Sequence, residues 1–153
     1  QVNENEYGLE MPLGLSGYFD LDEGLAAAKA AGKPVFVDIT GHGCVNCREM
    51  EQRVWSDPRV LDILRNDYII VALYTDDKTK MPESKWVTAE NGKVLKDMGR
   101  INSYFVRSHF SVNAQPNYVL LSPDGEQLMP IRGYNLDIDG FVTFLRSGLE
   151  KMK

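Results

Sequence analysis

Only two cysteines occur among the 153 residues, too few for a disulfide framework. A chain of this length buries a sizeable core in one domain without staples, so the fold is not expected to depend on them. Basic residues never cluster beyond two in a row and the net charge is −5, which argues against nucleic acid and against an anionic membrane surface as partners. Long apolar runs are missing as well. The longest, Tyr68 to Tyr74, falls far short of the roughly 20 residues that cross a bilayer, so no direct membrane insertion of this segment is expected. The chain opens at Gln1 with neither an initiator methionine nor a basic-then-apolar leader, the pattern expected of a processed protein or of a piece of a longer one. No internal repeat is present.

What is present reads as alternating strands and helices. Residues 1–16, with Gly8, Pro12 and Gly14 and no sustained periodicity, are expected to form a linker or N-terminal arm without a core of its own. The domain itself is expected over 17–153. A short strand near Gly17 to Phe19 leads to Asp20 or Asp22 as cap of the helix "EGLAAAKAAG", which Gly32 is placed to end. "VFVDI", Val35 to Ile39, is β-branched and aromatic without alternation, as in a central strand covered on both faces. A helix is expected from about Cys44, restarting at Pro58 behind Ser56 or Asp57 as cap. Tyr68 to Tyr74 gives a second buried strand. The polar stretch that follows, about 78–99, is longer than an ordinary connection and reads as an insertion. A helix carrying Ile101, Phe105 and Val106 comes next, then "NYVLLSPDGEQLMPIRGY" as a hairpin around Pro-Asp-Gly, then a last helix from about Asp139 to Lys151. The resulting fold class is α/β: a central mixed sheet flanked by helices.

Both cysteines lie in "VDITGHGCVNCREME", where a strand hands over to a helix. Cys44 then sits at the helix N-terminus, whose free N–H groups and dipole favour a thiolate, and Cys47 lies one turn further in. An i, i+3 pair there can reach disulfide geometry. A bridge closing so short a loop contributes little stability. Exchange is the stronger reading: thiolate attack, mixed disulfide, resolution by the second thiol. Two rivals remain beside it, a pair of inert buried cysteines and a zinc site completed by His42 and His109. Covalent haem attachment needs a histidine directly after the second cysteine, where this chain has Arg48. Asp38, alone among apolar residues six positions before Cys44, is expected to be buried with a raised pKa and to relay the proton of Cys47. Glu51 falls two helical turns from Cys44 and one from Cys47, where its charge opposes the dipole. His42 precedes the pair as a loop residue placed to tune Cys44. Trp55 and Trp86 read as packing residues.

"GKPVFVDITGHGCVNCREMEQRVWSDPRV", together with "HFSVNAQPNYVLLSPDG" in matching order, resembles the thioredoxin superfamily, and more closely the periplasmic C-terminal thioredoxin-like domain of the DsbD family of protein-disulfide reductases. The resemblance covers about residues 17–150. It implies a thioredoxin-like fold, with Cys44 as attacking and Cys47 as resolving thiol. Pro116 matches the family's cis-proline facing the cysteines, with the backbone of Gln115 placed to pair with an incoming peptide. Asp38 matches the acidic residue beneath the site and Glu51 the second carboxylate. Relatives usually carry Trp directly before the first cysteine, where this chain has Gly43 after His42, and the insertion has no counterpart in most of them.

The function so implied is thiol:disulfide exchange by a reductase domain that needs no cofactor or metal beyond the Cys44–Cys47 pair. Its partners would be a membrane-embedded electron-donor domain on one side and oxidised periplasmic proteins, cytochrome c maturation factors included, on the other, met through transient mixed disulfides. The location implied is the periplasm, as a soluble domain of a larger inner-membrane protein. A free-standing oxidase or isomerase, and a non-catalytic binding module of the same fold, are the alternatives.

Overall fold

The computed structural model describes residues 7–153. Its elements run in chain order α1 (Leu21–Ala31), β1 (Val35–Thr40), α2 (Val45–Met50), α3 (Pro58–Asp67), β2 (Ile69–Tyr74), β3 (Val87–Thr88), β4 (Val94–Leu95), α4 (Met98–Phe110), β5 (Asn117–Leu121) and α5 (Ile138–Met152). The main sheet has β1 at its centre, parallel to β2 and antiparallel to β5. All six residues of β1 are buried, as its lack of alternation requires when helices cover both faces.

Side chains alternate across a strand, so β1 divides its residues between two cores. Val35, Val37 and Ile39 point to the face shared with Ala28 of α1 and Val106 of α4. Phe36 points to the other face, where it lies among Trp55, Tyr68, Tyr118 and Phe141 at ring separations of 5.4–6.3 Å. Asp38 and Thr40 share the Phe36 face by the same alternation. That face is covered by α3, α5 and the cysteine-bearing helix.

Local chemistry fixes the helix ends. The Asp20 carboxylate accepts the Asp22 N–H at the start of α1, and Gly32 closes the helix in the left-handed region at φ 67°. Asp57, rather than Ser56, caps α3, with Pro58 in the first turn. Asp97 accepts the Arg100 N–H at the start of α4.

Three expectations change. The part of the N-terminal arm that is described is no loose linker: Leu9, Met11 and Leu15 are buried in the Phe36 core, because their apolar side chains find room beside the sheet edge. Residues 1–6 lie outside the described residues. The strand expected near Gly17 to Phe19 shrinks to one bridge, with Tyr18 donating to Ile70 O and accepting from Ala72 N; the Asp20 cap ends it at once. In the C-terminal hairpin, Ser122 to Gly125 turn as expected, but the return arm is only two bridges, Gln127 to Leu121 and Arg132 to Tyr118. Pro130 sits between them without an N–H to continue the ladder.

The segment after β2 is an ordered unit. Its β3–β4 hairpin is antiparallel, Trp86 Nε1 donates to Met81 O at 2.8 Å, and Lys85 reaches the α1 cap Asp20 at 2.8 Å. Lys96 stands over the Trp86 ring at 4.7 Å, a cation–π contact that holds the hairpin shut.

Candidate active site

Chain direction brings the site together. β1 and β2 are parallel, so the loops leaving their C-terminal ends meet. β5 is antiparallel, so it is its beginning that arrives there, and the register pairs Asn117 with Ile39. The end of β1 feeds residues 41–47, the end of β2 feeds Thr75, Asp76 and Asp77, and the start of β5 carries Pro116.

Cys44 is the N-cap of α2 and its sulfur accepts the Cys47 N–H at 3.1 Å. A disulfide joins the two, with their Cα atoms 5.2 Å apart. Cys44 is half-buried, Val45 beside it is exposed, and Cys47 is buried. Met50 is buried too, and beyond it the helix loosens into a π-turn over Glu51–Trp55 that drives Val54 and Trp55 into the core. Glu51 lies one turn from buried Cys47 and next to buried Met50, on the same inward face, and is buried instead of solvated.

Two carboxyls and one guanidinium lie under the pair. Asp38 is almost fully buried, and its carboxyl is pushed up to about 8, chiefly by burial and then by the Glu51 charge, against the pull of Arg48. Burial also raises Glu51, with the Arg48 charge and hydrogen bond opposing. Arg48 Nη2 donates both to Glu51 Oε2 at 3.1 Å and to Thr40 Oγ1 at 2.9 Å. One cation thus ties the cysteine helix to the last residue of β1.

On the other side, Asp76 accepts the backbone N–H groups of His42, at 2.8 Å, and Gly43, at 3.0 Å. Its neighbour Asp77 meets His42 Nε2 at 2.7 Å, and the His42 ring lies flat on Tyr74, centroids 4.3 Å apart. Burial lifts both carboxyls, but hydrogen bonds and the His42 charge outweigh it and leave each below its ordinary value. The Gln115–Pro116 peptide bond is cis. Pro116 is buried and Gln115 exposed. Beyond Gly133, Tyr134 is exposed and donates from its hydroxyl to Glu49 Oε1 at 2.6 Å.

Of the residues singled out from the sequence, Cys44, Cys47, Asp38, Glu51, His42 and Gly43 gather at this end of β1, and the cis Gln115–Pro116 bond stands next to it in the β5 register. His109 is elsewhere, stacked on Phe105 at 4.2 Å, so it does not join His42 and the cysteines in the zinc arrangement considered above. Among the described residues no group of three or more His, Cys, Asp or Glu is placed to hold a metal ion. Sequence reasoning missed Arg48, Thr40, Asp76 and Asp77. For the acidic doublet a signal existed: it directly follows a strand of the same type as the one that carries the cysteines, and parallel neighbours deliver their loops to one place.

Comparison with known proteins agrees with this geometry. A family model described as thioredoxin-like matches residues 16–123. The thiol:disulfide interchange protein DsbD 2 of Pseudomonas aeruginosa is 30% identical over 133 residues, which is 86% of this chain but only 19% of that protein; the chain thus spans about a fifth of that relative's length. A solution structure of a thioredoxin from Thermus thermophilus superposes with a TM-score of 0.65 at 23% identity, covering 92% of this chain and 91% of the other. The reduced DsbD C-terminal domain of Neisseria meningitidis gives 0.54 at 16% identity, covering 86% and 98%. Fold and cysteine pair together support thiol:disulfide oxidoreductase activity, and the chain, similar to DsbD proteins over the part of their length that it spans, belongs to the thioredoxin-like family.

Proposed function

We propose that this chain is a protein-disulfide reductase domain in which Cys44 attacks and Cys47 resolves. The observation that carries the reading is the asymmetry of the pair: Cys44 half-open at the first turn of α2, Cys47 buried behind it. Only the outer sulfur can line up with an external disulfide. In the reduced state the Cys44 thiolate attacks a substrate sulfur, forming a mixed disulfide and releasing the first substrate thiolate, which takes a proton from water. Cys47 then gives its proton to the Asp38 carboxylate and attacks the Cys44 sulfur, expelling the second substrate thiolate. Two electrons pass to the substrate and the Cys44–Cys47 disulfide is left. A carboxyl near 8 lies close to an ordinary thiol pKa of about 8.5, so the proton moves between Cys47 and Asp38 at little cost.

Pro116 and the exposed Gln115 offer an edge on which a substrate peptide adds as a strand. His42 and Gly43 shape the rim on the other side. Where the Asp38 and Glu51 carboxyls are ionised they favour the reductive direction, because negative charge beneath the pair disfavours thiolate and so stabilises the dithiol less; for Asp38 that charge develops only as pH approaches 8. Resemblance to DsbD supports a membrane-embedded donor domain as the source of electrons. It likewise supports oxidised periplasmic proteins as acceptors, cytochrome c maturation factors among them, and hence a periplasmic location. Among the described residues no helix is long and apolar enough to cross a membrane.

The test is trapping. Cys47→Ala, reduced and mixed with an oxidised protein substrate, is expected to accumulate a covalent complex on a non-reducing gel, and Cys44→Ala to form almost none. Equal trapping by both would refute the assigned roles.

A further inference from the structure

Asp76 makes the most deliberate contact at the site outside the cysteines. Its two carboxylate oxygens divide between two consecutive backbone N–H groups, those of His42 and Gly43, across more than thirty residues of sequence. The next N–H along, that of Cys44, goes back to Gly41 O at 3.4 Å. Every backbone donor from 42 to 44 is therefore occupied, and it is the Cys47 N–H that donates to the Cys44 sulfur. Successive N–H groups left free within a residue or two of a cysteine form an anion-binding concavity that stabilises a thiolate. Here they serve a carboxylate, and the carboxylate itself brings negative charge to the loop.

The seat of Asp76 is built by residues that have no other evident task. Gly41 lies so close that a Cβ there would stand 3.2 Å from Asp76 Oδ2. The Thr75 N–H donates to Thr40 O at 3.0 Å, locking the end of β2 to the end of β1. Asp77 is held on three sides: by His42 Nε2, by the Thr79 N–H on Oδ1 at 2.8 Å, and by the Gly99 N–H on its carbonyl at 2.8 Å. Gly99 must be glycine for α4 to come this near, since a Cβ would meet Asp77 O at 2.8 Å and Thr75 O at 2.9 Å. The long segment between Asp77 and α4 closes on itself through Met98 N to Thr79 O and Met81 N to Lys96 O, both 2.9 Å. It returns the chain to the place it left.

We infer that Asp76 is a positioning residue for the exchange reaction, seated by Asp77, Gly99 and the 78–97 segment, and that by taking the His42 and Gly43 N–H groups away from Cys44 it keeps the pair a poor thiolate and a strong electron donor. The inference deepens the reductase reading and rests on it for the identity of the reacting pair. Other titratable or charged groups around the pair are Asp38 on β1, Arg48 and Glu51 on the cysteine helix and its π-turn, and His42 and Asp77; Asp76 differs from these in holding the loop's own donors.

Reduction of the disulfide takes up two electrons and two protons, so anything that favours the Cys44 thiolate pulls the equilibrium toward the dithiol at neutral pH. Asp76→Asn removes the charge and one of the two acceptors. At pH 7 in glutathione buffers, its dithiol form is expected to be favoured about tenfold over wild type, which is about 30 mV toward a less reducing potential, and alkylation of Cys44 is expected to set in at lower pH. Asp76→Ala should shift both in the same direction. An equilibrium and an alkylation profile unchanged in the folded variants, with only the melting temperature altered, would overturn the inference, because a purely structural contact moves stability alone. Amide exchange in the wild-type protein needs no variant: His42 and Gly43 are expected to be protected in both redox states, and rapid exchange at both would equally overturn it. Neither readout involves a protein substrate. Failure of the trapping asymmetry with an intact potential shift would reject the reductase roles, whereas the reverse would reject only the role of Asp76.

Discussion

Replacing Asp38 by Asn tests the buried carboxyl where it is most exposed to measurement, in the pH dependence of stability. The ordinary value for the group is 3.8 and the folded chain raises it to about 8. A folded-state value above the unfolded one means that the native protein holds the proton more tightly. Its contribution is undisturbed below about pH 4, worsens as pH rises, and levels off near pH 8. Each unit is about 1.4 kcal/mol, so the shift costs wild type about 4 kcal/mol between pH 4 and pH 7. Asn at this site carries its own burial cost, but that cost does not titrate. The informative quantity is therefore the difference between variant and wild type, followed by urea unfolding of the oxidised proteins at pH 4, 5.5, 7 and 8.5. The variant is expected to gain about 4 kcal/mol on wild type from pH 4 to pH 7, a melting difference of about 10 °C for a chain of this size, with little further gain above pH 8. A difference that stays flat within about 1 kcal/mol across that range would mean that Asp38 is not titrating in an apolar site, and the proton-transfer role given to it would fall too.

Two further outcomes follow from the same face of the sheet. Glu51→Gln removes the second cause of the Asp38 shift, so the Asp38 carboxyl, followed by its carbon chemical shift in the oxidised protein, is expected to titrate at lower pH than in wild type; an unmoved midpoint would show that the two carboxyls do not sense each other. Phe36→Ala empties the centre of an aromatic cluster whose members are themselves fully or nearly buried, and is expected to cost about 3–5 kcal/mol in urea unfolding; a loss under about 1 kcal/mol would contradict its placement at the centre of the core.

The elements legible in the sequence are those specified by their own residues. β1 and β2 announced themselves by unbroken apolar runs, α1 by an alanine-rich stretch between Asp20 and Gly32, and α3 by Asp57-Pro58. The elements that were misjudged owe their form to neighbours. Leu9, Met11 and Leu15 are spaced like residues of an irregular arm, and only the sheet edge and the aromatic core beside them make them interior. Tyr18 is one residue of a strand because β2 offers it two bonds and the Asp20 cap then turns the chain away. The 127–132 arm has strand-like composition, yet Pro130 withdraws one donor and leaves two isolated bridges. Even the insertion, read as a polar stretch, contains its own hairpin, and what fixes it is a tryptophan that meets a backbone carbonyl and a lysine, and a second lysine that reaches Asp20, contacts that follow neither helical nor strand spacing.

The site divides along the same line. Cys44, Cys47 and Asp38 were visible because their peculiarity is local: two thiols at a helix start, and one carboxyl in an apolar strand. Glu51 was visible as a position but not as an environment, since what packs against the inward face of the cysteine helix decides between a solvated helix residue and a buried one. Asp76 and Asp77 carried no mark in their own residue types, being two acidic residues at the start of a polar stretch; their one signal was their place after a strand like β1. Their meaning depends on β2 lying parallel to β1, which sends both loops to one end of the sheet, and on Gly41 and Gly99 leaving room for them. The absence of a bulky residue before Cys44 is part of the same arrangement. With Gly43 in that place the loop has no large side chain to anchor it, and the anchoring falls instead to its backbone, held by Asp76, and to His42, held between Tyr74 and Asp77. A site built in this way holds the loop before Cys44 through carboxylates, and if Asp76 acts as inferred, the same bonds that position the sulfur are expected to set how readily it ionises.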